Sequence, residues 1–445
     1  MKRRQFLNYS SIVSCSSLIP VGLSPQVFAE PPADFRCLVN IFLLGGNDSF
    51  NLIVPRSDAE YNTYAESRQN LAIPKDQLLP ILSDNPDGTL YGFHPSATAL
   101  QNLFDEGTLS IISNVGPLIE PTTRDSYFNN DVTLPPQLFS HNDQQSQWQT
   151  LKGASQVKTG WAGRTADILE EDLNSQTLPT NISASGNSAY LTGLTTRPYA
   201  ISNHGAISYN AFRGGLEHSN QRLGSFAREL TANLENVHAR ALAYTHQRSI
   251  ELELVLSRAL SLLPALQTSF PDSVLGRQLN IIARLLAVKD EFSMRRQIFY
   301  AATGGFDTHD NQNQDQPILF SELSESMNAF QTALMEIGLG EQVVTFTQSD
   351  FGRTLTSNGD GTDHGWGSHQ LVMGNPVVGR QIFGQMPILE IDGNDDISGG
   401  RIIPTLSADQ YAATLASWFG IAPQDLTRVA PHIANFSQPN LGFLA

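Results

Sequence analysis

Short apolar runs that stop at glycine divide this chain. Residues 37–44, Cys-Leu-Val-Asn-Ile-Phe-Leu-Leu, end at Gly45-Gly46. So short a run, with almost no polar alternation, predicts a strand buried on both faces, as in a parallel sheet. Helical spacing follows from about Pro95 to Glu106, with Leu100, Leu103 and Phe104 on one face, and Leu109-Ser-Ile-Ile then reads as a second strand. Strand, loop, helix, strand is a βαβ unit. Residues 117–215, rich in Thr, Asn, Pro, Gly and Ser, read as long loops with short strands that wrap the ligand-binding edge.

From about Gln221 to Glu291 the period becomes helical. Leu223, Phe226, Leu230 and Leu234 recur at helical spacing, and Ile250 to Leu263 continue it. Because this stretch separates two strand-rich parts, it predicts an inserted helical layer over about 217–292. Gln297-Ile-Phe-Tyr-Ala-Ala then leads into Gly304. Leu319, Leu323, Met327, Phe330, Leu334 and Ile337 form one stripe, and Gln342-Val-Val-Thr-Phe-Thr leads into Ser349-Asp350. A last helix runs from about Ser407 to Phe419. The expectation is an α/β fold, a mostly parallel sheet sandwiched by helices, formed by residues 30–445 as one domain with that insertion.

Composition changes the picture mainly at the N-terminus. Lys2, Arg3 and Arg4 precede Phe6-Leu7, a weakly apolar stretch and Val27-Phe28-Ala29. Adjacent arginines before x-Phe-Leu, with a small-x-small cleavage pattern, predict a twin-arginine signal over residues 1–29. The expected partner is therefore the twin-arginine export machinery, and the expected location periplasmic or secreted. Ile12-Val13-Ser14-Cys15 resembles a lipoprotein box, but the apolar stretch before it is short and polar. With Cys15 in the leader, Cys37 stands alone and no intrachain disulfide forms in the mature chain. Removing residues 1–29, which hold three cations and no acid, takes the formal charge from −16 to −19. Such a surface excludes nucleic acid as a partner and leaves an anionic substrate dependent on local cations. No transmembrane segment is expected in the mature chain.

Four short segments carry the candidate chemistry, each placing Asp or His beside glycine just after an apolar run. They are Gly45-Gly-Asn-Asp48, Gly304-Gly-Phe-Asp-Thr-His309, Ser349-Asp-Phe-Gly352 and Thr362-Asp-His-Gly365. In an open α/β sheet the carboxyl ends of strands are where ligands bind. Asp48, Asp307, His309, Asp350 and His364 are the candidate metal ligands, since carboxylate and imidazole together suit Zn²⁺, with Mn²⁺, Mg²⁺ or Ca²⁺ as alternatives. Asp363 is expected to orient an imidazole from behind. Asp310, Asn311 and Gln312 are either further supporting groups or a solvated turn.

Arg353 is aimed at an anionic substrate group. Ser140-His141-Asn-Asp143 joins a hydroxyl, an imidazole and a carboxylate just before a helix carrying Gln145 and Trp148. Ser140 at that helix start is a candidate nucleophile, His141 an accompanying catalytic group, and Ser49 a rival nucleophile. His94, before Pro95 at a helix start, is a candidate to face the site; His204, His218, His238, His246 and His432 read as structural or surface residues. Asp392-Gly-Asn-Asp-Asp396 mimics a calcium loop but lacks its glycine and glutamate, so it reads as a turn.

Together, Gly45 to Asn51, Ser140-His141, Thr159 to Arg164, Gly304 to His309, Ser349 to Thr354, Asp363 to Gly365 and Asp409 to Thr414 resemble a large family of secreted bacterial proteins, domain of unknown function 1501. That family is similar in turn to the alkaline phosphatase and sulfatase superfamily. The resemblance implies an alkaline-phosphatase-like sheet and a two-ion site, with Asp48, Asp350 and a serine on one ion and Asp307, His309 and His364 on the other. Phe351 departs from the superfamily, which places histidine there, so His141 or a water has to stand in.

The function this implies is hydrolysis of phosphate or sulfate esters, with an anionic small molecule or glycan ester as substrate. Two other classes fit the residues. One is a catalytically degenerate relative that only binds; the other is a metal-free serine esterase, for which the upstream nucleophile block is missing.

Overall fold

Alternate residues of the strand Arg36–Leu43 belong to two different cores, which is why the run carries almost no polar residue. Cys37, Val39, Ile41 and Leu43 pack with Leu100, Leu279, Phe320 and Met327 on one face. Leu38 and Phe42 pack with Trp148, Trp161, Tyr411 and Leu415 on the other. Each such side chain, fully buried, contributes about 1.5–3 kcal/mol, so helices are held to both faces. Asn40, the polar exception, donates its amide to Gln348 Oε1 (2.6 Å) on the next strand.

The computed structural model describes residues 35–152, 159–174, 178–203, 205–206, 217–230, 235–261 and 265–445. Within them, ten strands form the main sheet. Its order is Ile382–Phe383, Leu109–Gly116, Ser368–Met373, Val343–Ser349, Arg36–Leu43, Arg296–Thr303, Asn181–Ser183, Tyr199–Ser202 and Gly205–Ala206, with Leu406–Ser407 also pairing Leu109–Gly116. The centre is parallel, while Ser368–Met373 runs antiparallel to both of its neighbours. The α/β class and the mostly parallel sheet between helical layers are as expected. Pro32–Ala445 is one compact unit. The expected leader, with Cys15, lies outside the described residues, as does His204.

Two regions differ in detail from the pattern. The polar stretch 117–215 holds its short strands but also the helices Arg124–Asn129 and Trp161–Leu173. A local cap favours the first, and tertiary bonds favour the second over local propensity. Thr123 caps the first at Ser126 N–H (3.2 Å), and within the second the buried Arg164 donates to the carbonyls of Thr150 (2.7 Å) and Val429 (2.6 Å). The helical layer comprises Glu217–Leu230, Val237–Ser261 and Val274–Leu286. Leu275, Leu279 and Ile282 of its last helix join the core that covers the sheet. No helix among the described residues is long and apolar enough to cross a membrane.

Candidate metal centre

Register brings the site together. Leu43 pairs with Thr303 on one side and Ser349 on the other, so three parallel strands end level. The segments that follow them, starting at Leu44, Gly304 and Asp350, leave the same edge. Gly45 and Gly46 have φ of +116° and +91°, and a Cβ on Gly45 would lie 2.4 Å from Asp307 N. Only glycine lets the first turn sit this close to the second. A hairpin, Arg353–Ser357 with Thr362–His364, pairs Arg353 with His364 and delivers the fourth segment. Gln137 and Phe139, both left-handed (φ 52° and 72°), lead into the helix His141–Thr150 and deliver its first residue.

Ligand atoms of His141, Asp307 and His364 lie within 4.8 Å of one another. His141 Nε2 is 3.4 Å from Asp307 Oδ2, and His364 Nε2 is 3.4 Å from Oδ1. His309 adjoins them, its Nε2 lying 3.1 Å from Asp307 Oδ1 and 2.9 Å from His364 Nε2.

The other ring nitrogens fix what these atoms present. His141 Nδ1 is 2.7 Å from Asp350 Oδ2, His364 Nδ1 is 2.7 Å from the Phe139 carbonyl, and His309 Nδ1 is 3.2 Å from Asp363 Oδ1. Carbonyls and carboxylates only accept, so each Nδ1 carries a proton, and a ring that holds no second proton turns a bare Nε2 inward. Two lone pairs then face each other at 2.9 Å beside a carboxylate. Only a cation relieves that arrangement, either a proton on one ring or a metal ion. Burial lowers the His364 pKa despite its bond to Phe139, which disfavours a second proton on that ring. Burial alone would raise the Asp307 carboxyl, but the hydrogen bond and charge of Arg353 lead the causes that hold the group below its ordinary value. The donor set of imidazoles and one carboxylate, each ring held from behind, fits a transition-type divalent ion.

Phe351, where the resemblance implied a histidine, is a wall rather than a gap. Its buried ring stacks on His364 (4.5 Å between centroids, 29°) and tilts against His141 (4.8 Å). It holds both imidazoles from the side.

Of the expected ligands, Asp307, His309 and His364 come together, joined by His141. Asp350 stands behind His141; its Oδ2 also accepts from Gln145 (2.8 Å), and its buried Oδ1 has no hydrogen-bond partner among the described residues. Asp48 is not in the cluster. Its carboxylate pairs with the buried Arg68 and accepts from Gln312 (2.9 Å) and Gln316 (3.1 Å), so the two-ion arrangement implied by the resemblance is not what these side chains assemble. Gln312 is thus a buried partner of Asp48 outside the cluster, and Asp363 lies 3.2 Å from His309 Nδ1, behind that imidazole.

Arg353 does not reach outward for an anion. Its Nη1 donates to Asp307 (2.7 Å) and the Gly45 carbonyl (3.2 Å), Nη2 to the Thr362 carbonyl, and Nε to Thr362 Oγ1 (3.2 Å). Ser49 is buried, and its Oγ accepts from His369 N–H (2.7 Å) and Ser368 Oγ (3.2 Å). Ser140 instead donates to Asp143 (2.6 Å) beside His141. His94 is buried edge-on against Phe320, and burial drives its pKa to about 4. Within 392–396, Asp396 accepts from the N–H groups of Asp392 (2.9 Å) and Ser398 (2.8 Å), and Asp395 from that of Ile388 (2.8 Å). His432, expected as isolated, pairs with the buried Asp409 (3.5 Å).

Sequence reasoning missed Arg68, Gln316 and Phe139. Arg68 and Gln316 come from helices that nothing in their own segments ties to the site. Phe139 acts through its carbonyl, which no residue type signals.

Fold and cluster define an α/β protein with a His/Asp group able to hold a metal ion at its strand ends. The chain belongs to the family described as "Protein of unknown function (DUF1501)", which matches residues 36–422. No curated protein matches it. Among solved structures it is similar to Ps i-CgsB in complex with k-i-k-neocarrahexaose, at 10% identity and TM-score 0.36, over 91% of this chain and 78% of that one. It is also similar to the lipoteichoic acid synthase LtaP from Listeria monocytogenes (9%, TM-score 0.36, 91% and 76%) and to a 2-O GAG sulfatase (10%, TM-score 0.30, 87% and 71%).

Proposed function

We propose that this chain is a metal-dependent hydrolase of phosphate or sulfate esters that works in the periplasm or outside the cell. The observation that carries the reading is the convergence of three Nε2 atoms and one carboxylate, with every Nδ1 committed to an acceptor behind it. Asp307, His141 and His364, with His309 beside them, would hold the ion. A nitrogen-rich set favours zinc over calcium or magnesium, which prefer oxygen. Bound there, a divalent ion supplies charge to stabilise the developing oxyanions of an ester and to acidify a hydroxyl.

The remaining work falls to the chain itself. Arg353 keeps Asp307 ionised and fixed, Asp350 holds the His141 tautomer, and Phe351 keeps water from one side of the imidazoles. Ser140 is the nucleophile of this reading. Its Oγ forms the new bond to phosphorus or sulfur as its proton passes to Asp143, and the ester's alcohol oxygen leaves and takes a proton from water. A second water then attacks the phosphorus or sulfur, its proton neutralising the hydroxide left by the first. Ser140 Oγ leaves and takes its proton back from Asp143 as phosphate or sulfate is released.

Metal content of the purified protein, followed by an ester panel with and without chelator, tests this. Metal together with chelator-sensitive turnover is expected; metal-free protein with no such turnover sinks it. A binding-only relative is the second reading, supported by Phe351 standing where the superfamily has a ligand. It predicts bound metal without turnover. Export through the twin-arginine route belongs to the proposal too: replacing Arg3 and Arg4 together by Lys should leave the protein in the cytoplasmic fraction.

A further inference from the structure

The centre is rich in negative charge. Asp307, Asp350 and Asp363 lie at or behind the imidazoles, and the guanidinium of Arg353 is committed at all three nitrogens. An anionic ligand therefore needs another cation. Asp363 and His364 are successive residues of one strand and point to opposite sides. Asp363 faces His309 and Asn358, so the exposed acid lies on one side; His364 faces Phe139 and Phe351 on the other.

Arg401 lies on the second side. Its Nε donates to the His364 carbonyl (3.1 Å), and its guanidinium lies over the Phe139 ring, 5.0 Å from the centroid. Nη1 makes one long bond to Ser398 O (3.3 Å), while Nη2 bonds to nothing among the described residues and no carboxylate there pairs with the group. The half-buried side chain is held at its base and open at its tip. Its backbone is fixed as well, because Gly400 (φ +80°) packs where a Cβ would lie 2.5 Å from Leu355 N, and Leu355 N–H donates to the Gly400 carbonyl (3.0 Å).

We propose that Arg401 is the residue by which this site recognises an anionic group of its ligand, a sulfate, phosphate or carboxylate, on the side of His364 away from Asp363. A guanidinium anchored through Nε and stacked on an aromatic ring presents a preorganised fork to such a group. The proposal deepens the hydrolase reading by naming what selects the ligand, but anion binding tests it without turnover.

Inorganic phosphate, sulfate and acetate are titrated separately into zinc-loaded and chelator-treated protein, for the wild type, Arg401→Gln and Arg401→Lys. At least one anion should bind the wild type, about tenfold more weakly to Arg401→Gln, and with intermediate affinity to Arg401→Lys, which keeps the charge but loses the fork and its Nε anchor. Metal content and Tm should stay at wild-type values in both variants. The pattern of the three arms tells phosphate, sulfate and carboxylate apart. Equal affinity in Arg401→Gln, or no binding of any of the three by the wild type, overturns the proposal. Failure of the hydrolase reading would show separately, as absent metal or absent turnover, while the chelator-treated titration still decides the role of Arg401.

Discussion

The carboxylate of Asp350 is wholly buried, with Oδ2 shared by His141 Nδ1 and Gln145. Asparagine there keeps the shape but can present an N–H to the ring, which disturbs the tautomer that turns Nε2 inward. Asp350→Asn should lower zinc affinity about 10–100-fold, measured by competition with a chromophoric chelator; unchanged affinity would mean Asp350 does not orient His141. A second residue-scale prediction concerns pH. The hydrogen bond to Asp409 raises the His432 pKa above its ordinary value. The folded protein thus holds that proton more tightly than the unfolded chain, so the stabilisation is complete below about pH 6.5 and is lost as pH rises through the folded pKa. The Tm advantage of wild type over His432→Ala should shrink across that rise, and a constant advantage would rule the pairing out. Single residues were also where sequence reading reached its limit. Asp48 has the ligand's type and place at a strand end, yet Arg68 and two glutamines surround it. A motif shows where a carboxylate stands, not which cation a later helix brings to it.

Elements were legible wherever burial imposed a period. The three central strands and the helices Gln312–Glu336 and Ala408–Phe419 follow directly from apolar spacing, because both faces of the sheet are covered. The helix His141–Thr150 buries Gln144 and Gln147 beside Trp148 and so shows little apolar period of its own. The hairpin that carries His364 has no apolar period either; its place is set by the pairing of Arg353 with His364. The Gly-Gly turn after the first strand offers an element-scale test. A Cβ on Gly46 would lie 2.4 Å from Phe351 Cε2, at a φ that disfavours L residues. Gly46→Ala should destabilise the fold by roughly 1–3 kcal/mol and shift the ring that walls His141 and His364, so both Tm and zinc affinity should fall. A lower Tm with zinc affinity intact would separate the turn from the site.

At the scale of the whole molecule, an ion bound by the folded chain and not by the unfolded one adds stability by mass action. At free zinc about 100-fold above Kd the gain is about 2.7 kcal/mol, a rise of a few degrees in Tm. Chelator should reverse that rise and His141→Ala should abolish it; a chelator-insensitive Tm in the wild type would count against the centre. The fold has a further consequence, in time rather than in space. Its central strand is the first described element, yet Leu43 pairs with Thr303 and Ser349. At about 5–20 residues per second, a ribosome needs roughly 13–52 s to make the ~260 residues between Leu43 and Thr303, the first of those partners. For that interval this apolar strand has neither neighbour to pair with, and a nascent chain in that state is a natural client for a chaperone.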